Sequence, residues 1–169
     1  MAATIIDGFE IARQVREEVA NKTAELKTKG INPCLAVILV GENPASVSYV
    51  TGKQKALAEV GMLDKSIKLP ESTSEEELLA LIDQLNKDDS VHGILVQLPL
   101  PKHINEQKVI LAISPDKDVD GFHPVSVGNL VIGNKSYLPC TPHGIIVLLQ
   151  KMGIETSGKH AVVIGRSNI

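Results

Sequence analysis

The sequence predicts an α/β protein built around a mostly parallel sheet. Two near-continuous apolar runs, residues 34–40 and 92–98, have strand length and lack polar alternation, as strands covered on both faces do. The segments around them repeat apolar residues at helical spacing. Pro and Gly mark the joints, which gives the strand–helix alternation of parallel sheets.

In chain order, Ile11, Val15, Val19 and Leu26 share one helical face, and Gly30 is a stop signal. Residues 34–40 form a buried strand. Pro44-Ala45-Ser46 opens a second helix that runs to about Val60-Gly61. A short strand is expected over residues 66–69. Ser72-Thr73-Ser74 precede Glu75-Glu76-Glu77, so capping side chains meet carboxylates where the helix dipole favours them. Leu78, Leu79, Ile82 and Leu85 are the buried face of that helix. The strand over 92–98 ends in Pro99-Leu100-Pro101, which cannot continue a sheet interior. Residues 105–113 read as a short helix and 114–134 as a turn-rich region. Thr141-Pro142 caps a helix to about Met152, closed by Gly153. A strand is expected at 161–164, leaving through Gly165-Arg166-Ser167. A Gly-polar-polar turn after a buried strand is how a nucleotide-binding βαβ unit begins. The fold expected is an N-terminal α/β domain followed by the start of a Rossmann-like dinucleotide-binding domain, truncated at Ile169.

The chain has 169 residues and a net charge of −3, so electrostatics give no case for nucleic acid or an anionic membrane as partner. Its N-terminus lacks a basic stretch followed by an apolar core, so no signal peptide is expected. The apolar runs are far below the ~20 residues of a membrane span. Cys34 and Cys140 lie far apart and are expected to be free thiols in a reducing compartment. Phe9, Phe122, Tyr49 and Tyr137 are the aromatics, so the core is aliphatic and each tyrosine needs its own explanation.

Several constellations bear on chemistry. Tyr49 and Lys53, at i and i+4, share one helical face, so a ring can stack on a ligand that the amine also meets. A half-exposed tyrosine beside a solvated lysine fits the same spacing. Gly52-Lys53 fails the phosphate-loop pattern, because Val47 and Gln54 occupy the required Gly and Ser/Thr positions. Gln97 is a carboxamide in an apolar strand, costly there unless hydrogen-bonded. It sits near the strand's C-terminal end, where open α/β sheets bind ligands; a structural amide holding a loop is the other reading. Asp116, Asp118 and Asp120 lack the central Gly and later Glu of a calcium loop and also suit a plain acidic turn. Cys140 and His143 lack the further ligands zinc needs. Arg166 and Ser167 are residue types suited to phosphate, although an ordinary strand-to-loop turn also accounts for them.

Five blocks in order carry a resemblance that spans essentially the whole chain. They are Val40-Gly41-Glu42-Asn43-Pro44-Ala45-Ser46 with Tyr49-Val50, Lys53 and Lys55; Gly93-Ile94-Leu95-Val96-Gln97-Leu98-Pro99-Leu100-Pro101; Lys117-Asp118-Val119-Asp120-Gly121-Phe122-His123-Pro124; Pro139-Cys140-Thr141-Pro142; and residues 158–167. Together they resemble the bifunctional methylenetetrahydrofolate dehydrogenase/methenyltetrahydrofolate cyclohydrolase family, in its bacterial form. The resemblance implies a folate-binding catalytic domain over residues 1–140. Residues 141–169 would be a linking helix with the first strand and phosphate loop of an incomplete NADP-binding domain.

By the same resemblance, Lys53 matches the catalytic lysine, Tyr49 packs on the folate ring system, and Gln97 supports the lysine. Asp120 binds the pterin's aminopyrimidine edge. Gly165, Arg166 and Ser167 begin the NADP loop, and Thr141 lies near the cofactor cleft. The implied chemistry is hydride transfer from methylenetetrahydrofolate to NADP, then hydrolysis of the methenyl cation to 10-formyltetrahydrofolate. A lysine serves as proton acceptor there only if some of it is neutral, which burial and a cationic ligand promote. A cytoplasmic homodimer in one-carbon and purine metabolism, without nucleic-acid or membrane partners, is the family expectation. As it ends at Ile169, the chain is expected to keep the cyclohydrolase residues and lose hydride transfer. A non-catalytic folate-binding fragment and a plain α/β structural domain are the alternatives.

Overall fold

A computed structural model describes residues 4–166. Ser167, assigned to the phosphate turn from sequence, lies outside the described residues. The sheet has three parallel strands, β1 (Cys34–Val40), β2 (Leu63–Leu69) and β3 (Gly93–Val96), in the order β2-β1-β3. β1 is central, and Ala36, Val37 and Ile38 have no exposure at all. Its alternate residues feed two cores. Ala36, Ile38 and Val40 pack with Ile94, Leu78, Ile82 and Val109 on one side. Val37 and Leu39 pack with Leu95 and Val50 on the other. The continuous apolar run therefore reflects a strand covered on both faces, as predicted.

The helices that supply these covers are α2 (Pro44–Glu59), α3 (Glu75–Lys87) and α4 (Glu106–Ala112), while α1 (Gly8–Thr28) packs on α2. Each starts on a side-chain cap that satisfies otherwise unpaired backbone donors. Asp7 accepts from Phe9 N and Glu10 N, Asn43 from Ala45 N and Ser46 N, and Asn105 from Gln107 N and Lys108 N. Ser74 and Glu77 form a reciprocal capping box at the start of α3. These helices match the predicted ones to within their caps.

β2 is longer than predicted, and its first three residues, Leu63, Asp64 and Lys65, are exposed. Its extent is set by register with β1, from Cys34↔Leu63 to Val40↔Leu69, and not by apolar content. β3 is shorter than its apolar run. Gln97 N still donates to Ile38 O at 2.8 Å, but the chain then turns away through a cis Leu98–Pro99 peptide.

Beyond β3, Ile94 N donates to Lys117 O at 2.8 Å, and Asp118 forms an isolated parallel bridge with Ile94. The acidic segment thus lies alongside β3 as a fourth sheet position. Gly93 permits this approach, because a Cβ there would stand 2.5 Å from Val119 Cγ1. Lys117 anchors the segment from the other side, donating to Leu85 O and Asp88 O at the end of α3.

Three expectations fail. The region 114–134 is not all turn, because Pro124–Ile132 is a helix, α5. His123 caps it by accepting from Val125 N, Pro124 takes the first helical position, and Gly133 closes it at φ +79°. Pro124 and Gly133 were the legible signals. The expected strand at 161–164 is also absent, and residues 161–166 carry no regular structure. Val163 and Ile164 are at least 90% exposed. A parallel strand exists only as part of a ladder, and no described segment pairs with this one. The last helix, α6 (Cys140–Lys151), starts on Pro139 without a side-chain cap, so Thr141 lies inside its first turn and does not cap it. α6 packs on α1, where Lys151 pairs with Glu18.

Candidate functional site

The site lies at the carboxyl end of the sheet. Asn43 caps α2 immediately after β1, so the first turns of that helix stand over this end. Tyr49 and Lys53 share one face of α2, with Lys53 Nζ 5.5 Å from the Tyr49 ring centroid, within cation–π range. Tyr49 is 67% exposed, so its ring face is open to a ligand.

Lys53 Nζ donates to Gln97 Oε1 at 3.1 Å. Gln97 Nε2 donates to Leu98 O at 2.8 Å. The second bond fixes which way the amide faces: its nitrogen is engaged by the backbone and its oxygen is presented to the lysine. The carboxamide that is costly in an apolar strand is therefore bonded at both ends.

Asp120 is the third group. It is half-buried and lines a small apolar cavity with Val96, Leu98, Phe122 and Asp118. Burial raises its carboxyl above the usual aspartate range; Lys53 opposes the shift and Asp118 adds to it.

Two residues were missed as site components from sequence. Cys140, weighed only as a metal ligand, has its thiol 3.7 Å from Val119 O, on the backbone leading into Asp120. Burial and the Asp120 carboxylate raise its thiol, and Lys53 opposes them. What brings it there is Gly121, at φ +67°, whose missing Cβ would lie 2.8 Å from Tyr137 O. Asp118 is the second, and nothing in its spacing marks it as the buried member of the acidic trio. Thr141 is exposed in the first turn of α6, and Gly165 and Arg166 are exposed and remote in sequence from the Lys53 cluster. A separate cleft lined by Pro115, Asp116, Asn129, Lys135 and Tyr137 contains none of the predicted site residues. Among the described residues no helix is long and apolar enough to cross a membrane.

A lysine, a carboxamide, an open aromatic face and a carboxylate at the carboxyl end of a parallel sheet give an α/β domain groups suited to acid–base chemistry on a small ligand. Residues 6–120 match the tetrahydrofolate dehydrogenase/cyclohydrolase catalytic domain, and residues 139–169 match the NAD(P)-binding domain of the same family. The chain belongs to the tetrahydrofolate dehydrogenase/cyclohydrolase family. It is 62% identical over 169 residues to the bifunctional protein FolD of Moorella thermoacetica, covering 100% of this chain and 60% of that protein. The FolD crystal structure from Campylobacter jejuni, a methylenetetrahydrofolate dehydrogenase/cyclohydrolase, superposes with a TM-score of 0.97 at 52% identity, covering 99% of this chain and 60% of that one. The Trypanosoma brucei enzyme, solved with NADP cofactor and inhibitor, gives 0.94 at 37% identity over 100% of this chain and 59% of that one. The chain spans about 60% of the length of the relatives it matches.

Proposed function

We propose that this chain supplies the folate site of an enzyme that oxidises 5,10-methylenetetrahydrofolate with NADP and hydrolyses the product to 10-formyltetrahydrofolate. The observation that carries this reading is the Lys53–Gln97 hydrogen bond beside the exposed face of Tyr49. An aromatic face suits a pterin ring, and Asp120 suits the N–H donors of an aminopyrimidine edge.

In the hydrolytic step, water adds to the bridging carbon of the methenyl cation and Lys53 takes the proton. The bond from that carbon to N5 then breaks as the remaining hydroxyl loses its proton to become the formyl carbonyl, and N5 takes up a proton, so that one proton is released overall. The amine must be neutral to accept, and a cationic ligand beside it disfavours the ammonium. Gln97 Oε1 holds Nζ in place through that exchange.

Residues 141–169 are proposed as the start of the NADP-binding domain and 1–140 as the catalytic domain. The Arg166 guanidinium and the Thr141 hydroxyl are exposed and of a chemistry that fits phosphate and amide groups. NADP, when bound, accepts the hydride; this chain's part is to hold the folate ring and exclude water. The protein is further read as a cytoplasmic homodimer supplying one-carbon units to purine biosynthesis. Its two free thiols suit a reducing compartment, and a mass measurement in solution tests the dimer.

The test is Lys53→Met in a protein where this chain continues into a complete NAD(P)-binding domain. Loss of a general base is expected to lower cyclohydrolase turnover by about 10²–10⁴-fold. Near-normal turnover sinks the proposal.

A further inference from the structure

Asp118 is only 2% exposed, although it sits in the same acidic turn as Asp120. One oxygen, Oδ2, accepts from both His123 N and Ser126 Oγ, each at 2.9 Å. Ser136 Oγ donates in turn to Ser126 O at 2.9 Å. The Asp118 side chain therefore holds the start of α5, to which Ser136 is joined through the Ser126 carbonyl, while the Asp118 backbone bridges to Ile94 in β3. Asp118 and Asp120 also line one small apolar cavity, with Ile94, Val96, Leu98 and Phe122.

We propose that Asp118 is a positioning residue for Asp120, holding the turn that carries it and placing a second buried carboxylate behind it. The inference rests on the reading of Asp120 as the ligand of the folate's aminopyrimidine edge. The groups facing Asp120 are Lys53 from α2, Asp118 from its own turn and Cys140 from α6. Lys117 offers no compensation, because its ammonium is spent on the carbonyls that end α3.

A like charge in a poorly screened environment disfavours ionisation of its neighbour. Asp120 accepts two N–H donors only while ionised. Folate affinity should therefore fall on acidification, and Asp118 should set where that fall begins, together with burial and against Lys53.

Asp118→Asn separates charge from architecture. Its amide oxygen can take the place of Oδ2 and still accept from His123 N and Ser126 Oγ. Folic acid, which carries the same aminopyrimidine edge, is the probe, titrated against each variant of the chain from acid to neutral pH. The acid limb of affinity is expected to move to lower pH in D118N relative to the unmutated chain. An unmoved limb, or one moved upward, overturns the inference. If Asp120→Asn leaves affinity and its acid limb unaltered, the aminopyrimidine reading itself fails and takes this inference with it. A changed D120N with an unmoved D118N defeats this inference alone. Should D118N not fold, carboxyl carbon NMR of the unmutated chain reads the same coupling. The Asp120 carboxyl resonance should titrate in more than one step, and a single-step curve counts against it.

Discussion

Lys53 Nζ and Gln97 Oε1 stand 3.1 Å apart although 44 positions separate them in sequence. The contact exists because α2 follows β1 and Gln97 directly follows β3, and these two strands pair in parallel from Leu35↔Gly93 to Ile38↔Val96. The sheet register therefore sets the distance between the two polar groups.

Gln97→Leu keeps the volume of the side chain and removes the acceptor. Turnover in the hydrolytic step is expected to drop on the order of 10²-fold, because a misplaced amine loses its near-attack geometry. Gln97→Glu, which still offers an oxygen to Nζ, should recover part of it. Single-turnover kinetics alongside a thermal melt make the check, and a lost fold in place of a lost rate would defeat the assignment.

Asp120→Asn should weaken folate affinity and yet stabilise the chain at neutral pH. The sign follows from the raised carboxyl. The folded state binds this proton more tightly than the unfolded one, so stability falls as pH rises from the unfolded value through the folded one. An amide never ionises and escapes that penalty. Urea titrations at acid and neutral pH should show the stabilisation only at the higher pH; a variant less stable than wild type at neutral pH contradicts the argument.

Gly121→Ala faces two obstacles at once. The residue sits at φ +67°, and a Cβ would stand 2.8 Å from the Tyr137 carbonyl oxygen. A cost of about 1–3 kcal/mol is expected from the backbone conformation alone. Because the displaced segment leads into α6, amide exchange should accelerate near Cys140 before it does in β1.

Ile82→Ala probes the larger core. Ile82 is fully buried between α3 and the sheet, and truncation there should cost about 2–5 kcal/mol by denaturant unfolding. Tyr49→Ala, by contrast, removes a largely exposed ring and should leave stability near wild type while folate affinity falls. A large stability loss in the tyrosine variant would mean that the ring serves packing.

Much of the fold was legible because it depends on local pattern. The 34–40 run reads as a strand buried on both faces, and Ser74 with Glu77 announces the start of α3. α5 was missed because its flanking turn residues outweighed Pro124 and Gly133, which frame it. The strand expected at 161–164 has the right composition, but composition supplies no pairing partner.

The sequence by itself determined the residue types of the site: a lysine and tyrosine one helical turn apart, an amide at a strand end, and an acid in a turn. Spacing within one helix is a local property, so Tyr49 and Lys53 could be paired without a structure. Only the tertiary structure decided that Gln97 turns its oxygen to Lys53, that Asp118 and not Asp116 is the buried acid, and that Cys140 joins the cluster. Those outcomes depend on which strands pair and on two missing Cβ atoms, one at Gly93 that leaves room for the Val119 side chain and one at Gly121 that leaves room for the 137–139 backbone. Contacts between segments so far apart are fixed by packing of the whole chain, which no short stretch encodes.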